Sequence, residues 1–522
     1  MSILSGILMV LSFPYTGSLT PLVFISWIPL LTVEHTISFN RYRSSKVFIH
    51  ALIAFFIYNI GATWWVYYAS GIGAAMAIIL NSIFMALVFQ LFHIAKKNLG
   101  NREGFLSLIL FWISFEYIHY HWELSWPWLH LGNVFSTQPS WVQWYSITGV
   151  HGGTLWVLLV NVLLFQYLNK LNTKRIQKKK TVLHALLPLS VIIVPIVLSL
   201  AVYYTYEEYG KEVEVVVVQP NIDPYNEKFE DPVEDQINKL WKLAESRITR
   251  NTALLVAPET ALSQGFYEED APFTESVRLL TEHKKKKGLP AILIGASTAR
   301  LYEREHSRAS RPMAGGPGFV EYYNTSMLIN ETNDLSFLHK SLLVPGVEII
   351  PFSDILPFLE QLSIDNGGTT GSLGTEKSPE IMKSADITLA PMICYESVCG
   401  EMLAAQCRKG AEIVCVITND GWWKDTPGYK QHMSFSRLRA IESRRCVARS
   451  ANTGISCIID QKGDILKKTE WWEPAAIRAT LKQNNEITFY SKYATLMWKP
   501  VLFVSLGLVL FSCYKWLKRR HL

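Results

Sequence analysis

Eight apolar runs punctuate the chain, near residues 2 to 15, 19 to 35, 47 to 66, 72 to 95, 104 to 119, 148 to 169, 181 to 204 and 497 to 514. Each is long enough, or nearly so, for a helix to cross roughly 30 Å of hydrocarbon. One soluble core does not account for them. The 522 residues are 49% hydrophobic and 12% aromatic, with a positive mean hydropathy, which makes membrane insertion the leading explanation. The first run lacks the basic flank of a signal peptide, and "FPYTGS" is a poor cleavage site, so it is read as a membrane helix. The runs predict an α-helical membrane domain of seven spans over residues 1–204, an exterior domain over 205–496, and an eighth span with a basic tail over 497–522.

Charge sets the expected orientation, because Lys and Arg in short loops stay on the cytoplasmic side. Arg41, Arg43 and Lys46 follow the second run, Lys96, Lys97 and Arg102 the fourth, "KLNTKRIQKKK" the sixth and "KWLKRRHL" the eighth. The loops between them, including the long one from Tyr120 to Thr148, hold no Lys or Arg. Both termini are therefore expected in the cytoplasm and residues 205–496 outside. A net charge of +6 alone would suit nucleic acid, but the basic residues lie between apolar runs instead of on one face, so no nucleic-acid partner is expected.

The long outside loop, "HYHWELSWPWLHLGNVFSTQPSWVQW", is dense in Trp, which favours the boundary between lipid and water. It reads either as an anchoring belt or as the lining of a lipid passage. His119, His121 and His130 lack zinc-site spacing, so no metal is assigned and no cofactor is expected.

Residues 205–496 have a different texture, with short Val- and Ile-rich segments alternating with polar, helix-like stretches. Strands are expected at "EVEVVVVQPN", "ALLVAPETAL", "AILIGAST", "YYNTSMLIN", "ADITLAPMICYE", "AEIVCVITND" and "SCIIDQKGDIL". Helices are expected at "DPVEDQINKLWKLAESRITR", "APFTESVRLLTEHKKKKG", "SVCGEMLAAQCRKG" and "QHMSFSRLRAIESRR". That alternation predicts a layered α/β domain, with Tyr302 to Gly318 as a polar, mobile loop. Chemistry in such domains gathers at strand ends, where Glu259, Lys340, Cys394, and Asn419 with Asp420 fall. A carboxylate, an ammonium and a thiol suit acyl transfer: the carboxylate takes the thiol proton, the thiolate attacks a carbonyl, and the ammonium stabilises the developing charge. A cysteine on an apolar strand is equally read as packing, and these residues alone leave both readings open.

The stretches "APETAL", "HKSLLVPGVEIIPF", "ICYESVCG" and "TNDGWW" resemble the Glu-Lys-Cys signature of the nitrilase superfamily, whose fold is an αββα sandwich. With seven spans before the set and one after it, the whole chain resembles the apolipoprotein N-acyltransferases, the membrane-embedded members of that superfamily. The resemblance implies Glu259 as general base, Lys340 as oxyanion stabiliser and Cys394 as nucleophile. It adds Glu348 and Glu396 as supporting residues, and places Tyr395 and Trp422 near the site. The family commonly has "PFGE" where this chain has "PGVE" at Pro345 to Glu348, so the local turn must differ while the glutamate keeps its spacing.

The implied reaction is ping-pong: a phospholipid acylates Cys394, and the α-amine of a diacylglyceryl-cysteine lipoprotein takes the acyl chain as an amide. The implied setting is a bacterial inner membrane with the catalytic domain in the periplasm. Two alternatives remain, a membrane-tethered amidase acting on small C–N substrates and a catalytically dead lipoprotein-binding scaffold. The remaining cysteines form no zinc or CxxC pattern and no dense disulfide framework.

Overall fold

The computed structural model describes residues 1–173, 181–228, 230–313, 315–353, 372–385 and 387–520. The chain divides into two units, one of Met1–Tyr67, Gly71–Thr205 and Tyr493–Leu522, the other of Tyr68–Ser70 and Tyr206–Lys492.

In the first unit the apolar runs lie on helices Ser2–Ser12, Ile28–Phe39, Ser45–Thr63, Gly71–Leu99, Asn101–Ile118, Val150–Asn172, Thr181–Thr205 and Lys499–Arg520. Among the described residues, six segments are long and apolar enough to cross a membrane: Thr20–Phe39, Ser45–Tyr68, Gly71–Leu99, Val150–Asn172, Ala185–Thr205 and Phe489–Arg519. The helix Ser2–Ser12 is shorter, and Asn101–Ile118 carries Arg102, Glu103 and Glu116. Where helical structure breaks between Phe24 and Ile28, Asn161 accepts from Trp27 N at 2.9 Å and donates to Val23 O at 2.8 Å. Backbone groups freed in an apolar setting need such partners. Of the cations used to read orientation, Lys96 is buried and paired with Glu34, which also meets His93 at 2.8 Å. The Trp-rich loop folds into short 3₁₀ turns, and its Trp128 packs inside the unit on Trp65, ring centres 4.9 Å apart.

The second unit is built from two sheets. The strands are β1 Glu212–Gln219, β2 Thr252–Val256, β3 Leu262–Tyr267, β4 Ala291–Tyr302, β5 Arg311–Pro312, β6 Phe319–Ile329, β7 Leu335–His339, β8 Met382–Ser384, β9 Ile387–Ile393, β10 Ile413–Thr418, β11 Cys446–Ala451, β12 Cys457–Ile459, β13 Ile465–Lys468 and β14 Ala475–Lys482. One sheet runs β14-β1-β2-β4-β6-β5, with β3 on β4 and β7 on β6; the other runs β13-β12-β11-β10-β9-β8.

Side-chain alternation decides the layering. Val213, Val215 and Val217 of β1 face Leu389, Ile413, Cys415 and Ile417 of the other sheet. Val216 and Val218 face the opposite way, onto Ile237, Leu240 and Trp241 of helix Val233–Glu245. Val414 and Val416 of β10 likewise turn outward, onto Leu403 of helix Gly400–Arg408 and Met433 of helix Pro427–Ser443. Strands buried on both faces read as continuous Val and Ile runs because each face has its own core. The result is a four-layer αββα sandwich.

Some expected elements differ. The run "SCIIDQKGDIL" is a hairpin, β12 and β13, turned at Gly463 with φ +87°. Strand β11, "CVARSA", lies where no strand was expected, its Arg449 and Ser450 being fully buried. The segment from Tyr302 to Gly318 is tied in: β5 pairs with β6, and Ser307 and Ser310 donate to buried Glu321 at 2.7 and 2.5 Å.

Candidate active site

Four strand ends converge at one rim of the sandwich. Glu259 lies just beyond β2, Lys340 directly follows β7, Cys394 directly follows β9 and Asn419 directly follows β10. The Lys340 ammonium sits 3.5 Å from Glu259 Oε1 and 2.8 Å from Glu348 Oε1. It is 1% exposed, so water does little to weaken either attraction. Burial alone would push this ammonium's pKa down, but Glu348 and Glu259 hold it well above the usual lysine range. Lys340 is therefore a fixed cation.

Glu259 has its own cradle. Its Oε1 accepts from Asn324 Nδ2 at 2.7 Å and its Oε2 from the Asn419 main-chain N–H at 2.9 Å. Asn324 also reaches Glu348 Oε1 at 3.2 Å. The second oxygen of Glu348 accepts from Val344 N at 2.9 Å, closing a turn in which Gly346 has φ +80°. That is the local form the "PGVE" sequence takes: glycine supplies the left-handed residue, and the glutamate still reaches the lysine.

Cys394 begins a 3₁₀ turn with φ +52°, an uncommon conformation for a residue with a side chain. It keeps part of its surface open. Burial pushes the thiol well above the ordinary cysteine range; Glu259 adds to that, while Lys340 and Thr418 oppose it. The resting group is a neutral thiol that needs a base to become nucleophilic.

Glu396 secures the turn from within. Its Oε2 accepts from Ile393 N at 2.7 Å, and its Oε1 accepts from Ser341 N at 2.6 Å and Leu342 N at 3.3 Å. One carboxylate thus ties the cysteine turn to the lysine strand. Burial raises its pKa to about 7 despite those three donors. Tyr395 is buried next to the cysteine. Trp422 is half-buried, with Tyr225 edge-on at 5.2 Å and its hydroxyl donating to the Trp422 carbonyl.

The paired strand-end residues Asn419 and Asp420 divide. Asn419 serves the site through its main chain, while Asp420 turns into a buried cluster with His432 and Arg449. Against burial that would raise it, Arg449 and His432 hold the Asp420 carboxyl down to about 2. Sequence reasoning passed over Asn324, His432 and Arg449. Each is a polar residue with no solvent to satisfy it, but burial is invisible until the strands and helix are placed.

In the helical unit, buried Glu116, His130 and His151 bring ligand-type atoms within 4.8 Å of one another. The Glu116 oxygens already accept from Leu131 N at 2.8 Å, Trp112 Nε1 at 3.2 Å and Thr154 Oγ1 at 2.6 Å. These three donors satisfy the Glu116 carboxylate. All seven cysteines stand as free thiols.

Two family descriptions match the chain: "Apolipoprotein N-acyltransferase N-terminal domain" over residues 5–163 and "Carbon-nitrogen hydrolase" over residues 215–488. Curated relatives include an apolipoprotein N-acyltransferase of Chlorobaculum tepidum, 29% identical over 95% of this chain and 92% of its own. Another, from Geobacter metallireducens, is 26% identical over 94% of this chain and 91% of its own. Among solved structures, Nit3 of Saccharomyces cerevisiae, a member of branch 10 of the nitrilase superfamily, superposes with a TM-score of 0.38 at 16% identity, covering 55% of this chain and 95% of that one.

Proposed function

The chain belongs to the carbon-nitrogen hydrolase family, as a member that also carries the apolipoprotein N-acyltransferase N-terminal domain, and from that premise we propose that it transfers an acyl chain from a membrane phospholipid to the N-terminal amine of diacylglyceryl-cysteine apolipoproteins. The observation carrying this reading is one chain in which an acyl-transfer set of buried carboxylate, ammonium and thiol accompanies helices apolar enough to span a bilayer. Substrates with lipid tails call for such a frame; a water-soluble amide does not. The protein is a multi-pass bacterial membrane protein, and our reading places it in the inner membrane with the αββα unit on the periplasmic side.

In the first half-reaction Glu259 takes the Cys394 proton as sulfur attacks the ester carbonyl of the phospholipid. Lys340 stands ready for the charge that develops on the carbonyl oxygen. Collapse expels the lysophospholipid alkoxide, which leaves with the proton held by Glu259, and a thioester remains. In the second half-reaction the lipoprotein amine attacks that thioester, Glu259 accepts the amine proton, and sulfur leaves to take it back. An amide and the resting thiol result. Glu348 and Asn324 keep the lysine and the base in register throughout.

Purified protein mixed with phospholipid and a diacylglyceryl peptide is expected to release one lysophospholipid per N-acylated peptide, and Cys394→Ala to release none. Free fatty acid without peptide acylation would mean that water, not an amine, resolves the thioester, and the amidase reading would replace this one. Acylation by Cys394→Ala would remove the cysteine from the mechanism.

A further inference from the structure

A side-chain-bearing residue at φ +52° persists only where its surroundings hold it. Around Cys394 those surroundings can be named. One peptide upstream of the residue, the Met392–Ile393 unit is gripped by Glu396 through Ile393 N. The peptide leaving it is gripped through the Cys394 carbonyl, which accepts from Ser397 Oγ at 2.8 Å and lies 3.1 Å from His432 Nε2. His432 Nε2 is also 2.9 Å from Ser397 Oγ. A carbonyl can only accept, so this contact is a hydrogen bond in the tautomer with the ring proton on Nε2, in which Nδ1 accepts from Arg449 Nη2.

The other side of the imidazole is anchored as firmly. Nδ1 lies 2.9 Å from Asp420 Oδ1 and 3.1 Å from Arg449 Nη2, and Arg449 Nη2 donates to Asp420 Oδ2 at 2.6 Å. Asp420 also accepts from Thr418 Oγ1 at 2.8 Å. Trp423 packs edge-on against the ring, centres 5.5 Å apart. Asp420, His432 and Arg449 are all 0% exposed, so water cannot stand in for any of these contacts. The helix thus brings His432 to one oxygen of the nucleophile's own backbone, and the strand that supplies Arg449 backs the ring from the other side.

We propose that His432 is a positioning residue for acyl transfer, its Nε2–H holding the Cys394 carbonyl so that the Cys394–Tyr395 peptide keeps the one orientation that presents the thiol to substrate. Peptide planarity carries the effect further, since fixing that carbonyl also fixes the direction of the Tyr395 N–H. His432 touches no reacting atom and acts only through the cysteine's main chain. The inference rests on Cys394 being the nucleophile, as proposed above.

Two amide substitutions separate the roles of the two ring nitrogens. An Asn side chain at 432 places its amide near Nδ1 and keeps Asp420 but falls short of the Cys394 carbonyl. A Gln side chain reaches the position of Nε2 and can still donate to that carbonyl. Full-length protein in detergent is mixed with excess phospholipid, and the acyl adduct is followed by intact mass in a single turnover. His432→Ala and His432→Asn are expected to acylate about 100-fold more slowly at saturating donor, the size typical of a misplaced reacting group. Half-saturation should not move, and His432→Gln should recover at least about tenfold of the lost rate, the equivalent of one restored hydrogen bond. Ser397→Ala, a smaller change at the same carbonyl, should fold and slow acylation about tenfold. The proposal is overturned if His432→Asn acylates like wild type, if His432→Gln is no faster than His432→Asn, or, should the His432 variants fail to fold, if Ser397→Ala acylates like wild type. If wild type forms no adduct, the proposed function falls and this inference with it; wild-type adduct with unaffected variants sinks this inference alone.

Discussion

Gly295 sits in β4 directly beneath the loop that presents Glu259, and a methyl group there tests how tightly that base must be placed. An added Cβ would lie 2.5 Å from Glu259 Cα, 2.5 Å from Thr260 N and 2.7 Å from Pro258 O, all main-chain atoms with no rotamer to yield. Ordinary contact begins near ~3.5 Å, so something must retreat by about 1 Å. Gly295 is paired to Ser326 within the sheet, and its N–H donates to Pro258 O at 3.0 Å. The loop therefore gives way and takes Glu259 with it, away from Asn324 at 2.7 Å, the Asn419 N–H at 2.9 Å and Lys340 at 3.5 Å. A displacement of that size costs about 100-fold in rate, and overpacking of this kind about 1–3 kcal/mol in stability. Gly295→Ala is thus expected to fold with a lowered unfolding temperature and to form the acyl adduct about 100-fold more slowly in single turnover. Gly316→Ala, where a methyl meets nothing within 4 Å, is the control. Wild-type acylation by a folded Gly295→Ala protein would refute the claim that the position of Glu259 limits the reaction.

Glu396 makes acylation pH-dependent in a predictable direction. Below about 7 its carboxyl is protonated, and one of the Ile393, Ser341 and Leu342 N–H groups loses its acceptor. Wild-type acylation should fall relative to Glu396→Gln as pH drops through 7, and an unchanging ratio across that range would clear Glu396 of this role. The same raised pKa acts on stability. Between the ordinary value of 4.5 and about 7 the folded protein binds the proton that the unfolded chain releases. Wild type should therefore lose stability relative to Glu396→Gln as pH rises across that window, by about 3 kcal/mol in total at about 1.4 per unit, and a flat difference in unfolding temperature would contradict it. Orientation is testable by cysteine labelling: exposed Ser45 should react with an impermeant reagent only from the cytoplasm, exposed Glu305 only from the other side, and labelling of position 305 from the cytoplasm would invert the topology.

The strand ends that carry Glu259 and Cys394 were legible because each follows a short, largely buried apolar run, whereas Lys340 follows the half-exposed "LSFLH" of β7 and stood out by its charge at the end of that segment. Strand β11 was not legible, because its Arg449 and Ser450 are buried polar residues serving the Asp420 cluster and the Val218 carbonyl, and they break the apolar pattern that announces a strand. Asn324 was hidden for a similar reason. It is a polar residue midway along β6 whose importance depends on two glutamates distant in sequence, 65 and 24 residues away. His432 lies on a helix buried nearly all round, so no amphipathic stripe marks out which polar side chain faces the cysteine. The turn at Gly346 was foreseen to differ from the family's usual sequence, but its form depended on the carbonyl of Val344 collecting the N–H groups that follow.

The thiol of Cys394 rests protonated beside a carboxylate, and this bears on how the protein survives and how it is blocked. Oxidants and simple alkylating reagents attack thiolates, so a sulfur kept as S–H until a substrate arrives is spared sulfenic acid formation and stray modification in oxidising surroundings. The same restraint shields it from general cysteine reagents. A covalent inhibitor would need an electrophile carried on an acyl-like tail, one that settles against Lys340 and lets Glu259 withdraw the proton as it would for a true ester; the warhead's intrinsic reactivity would matter less than its resemblance to a lipid.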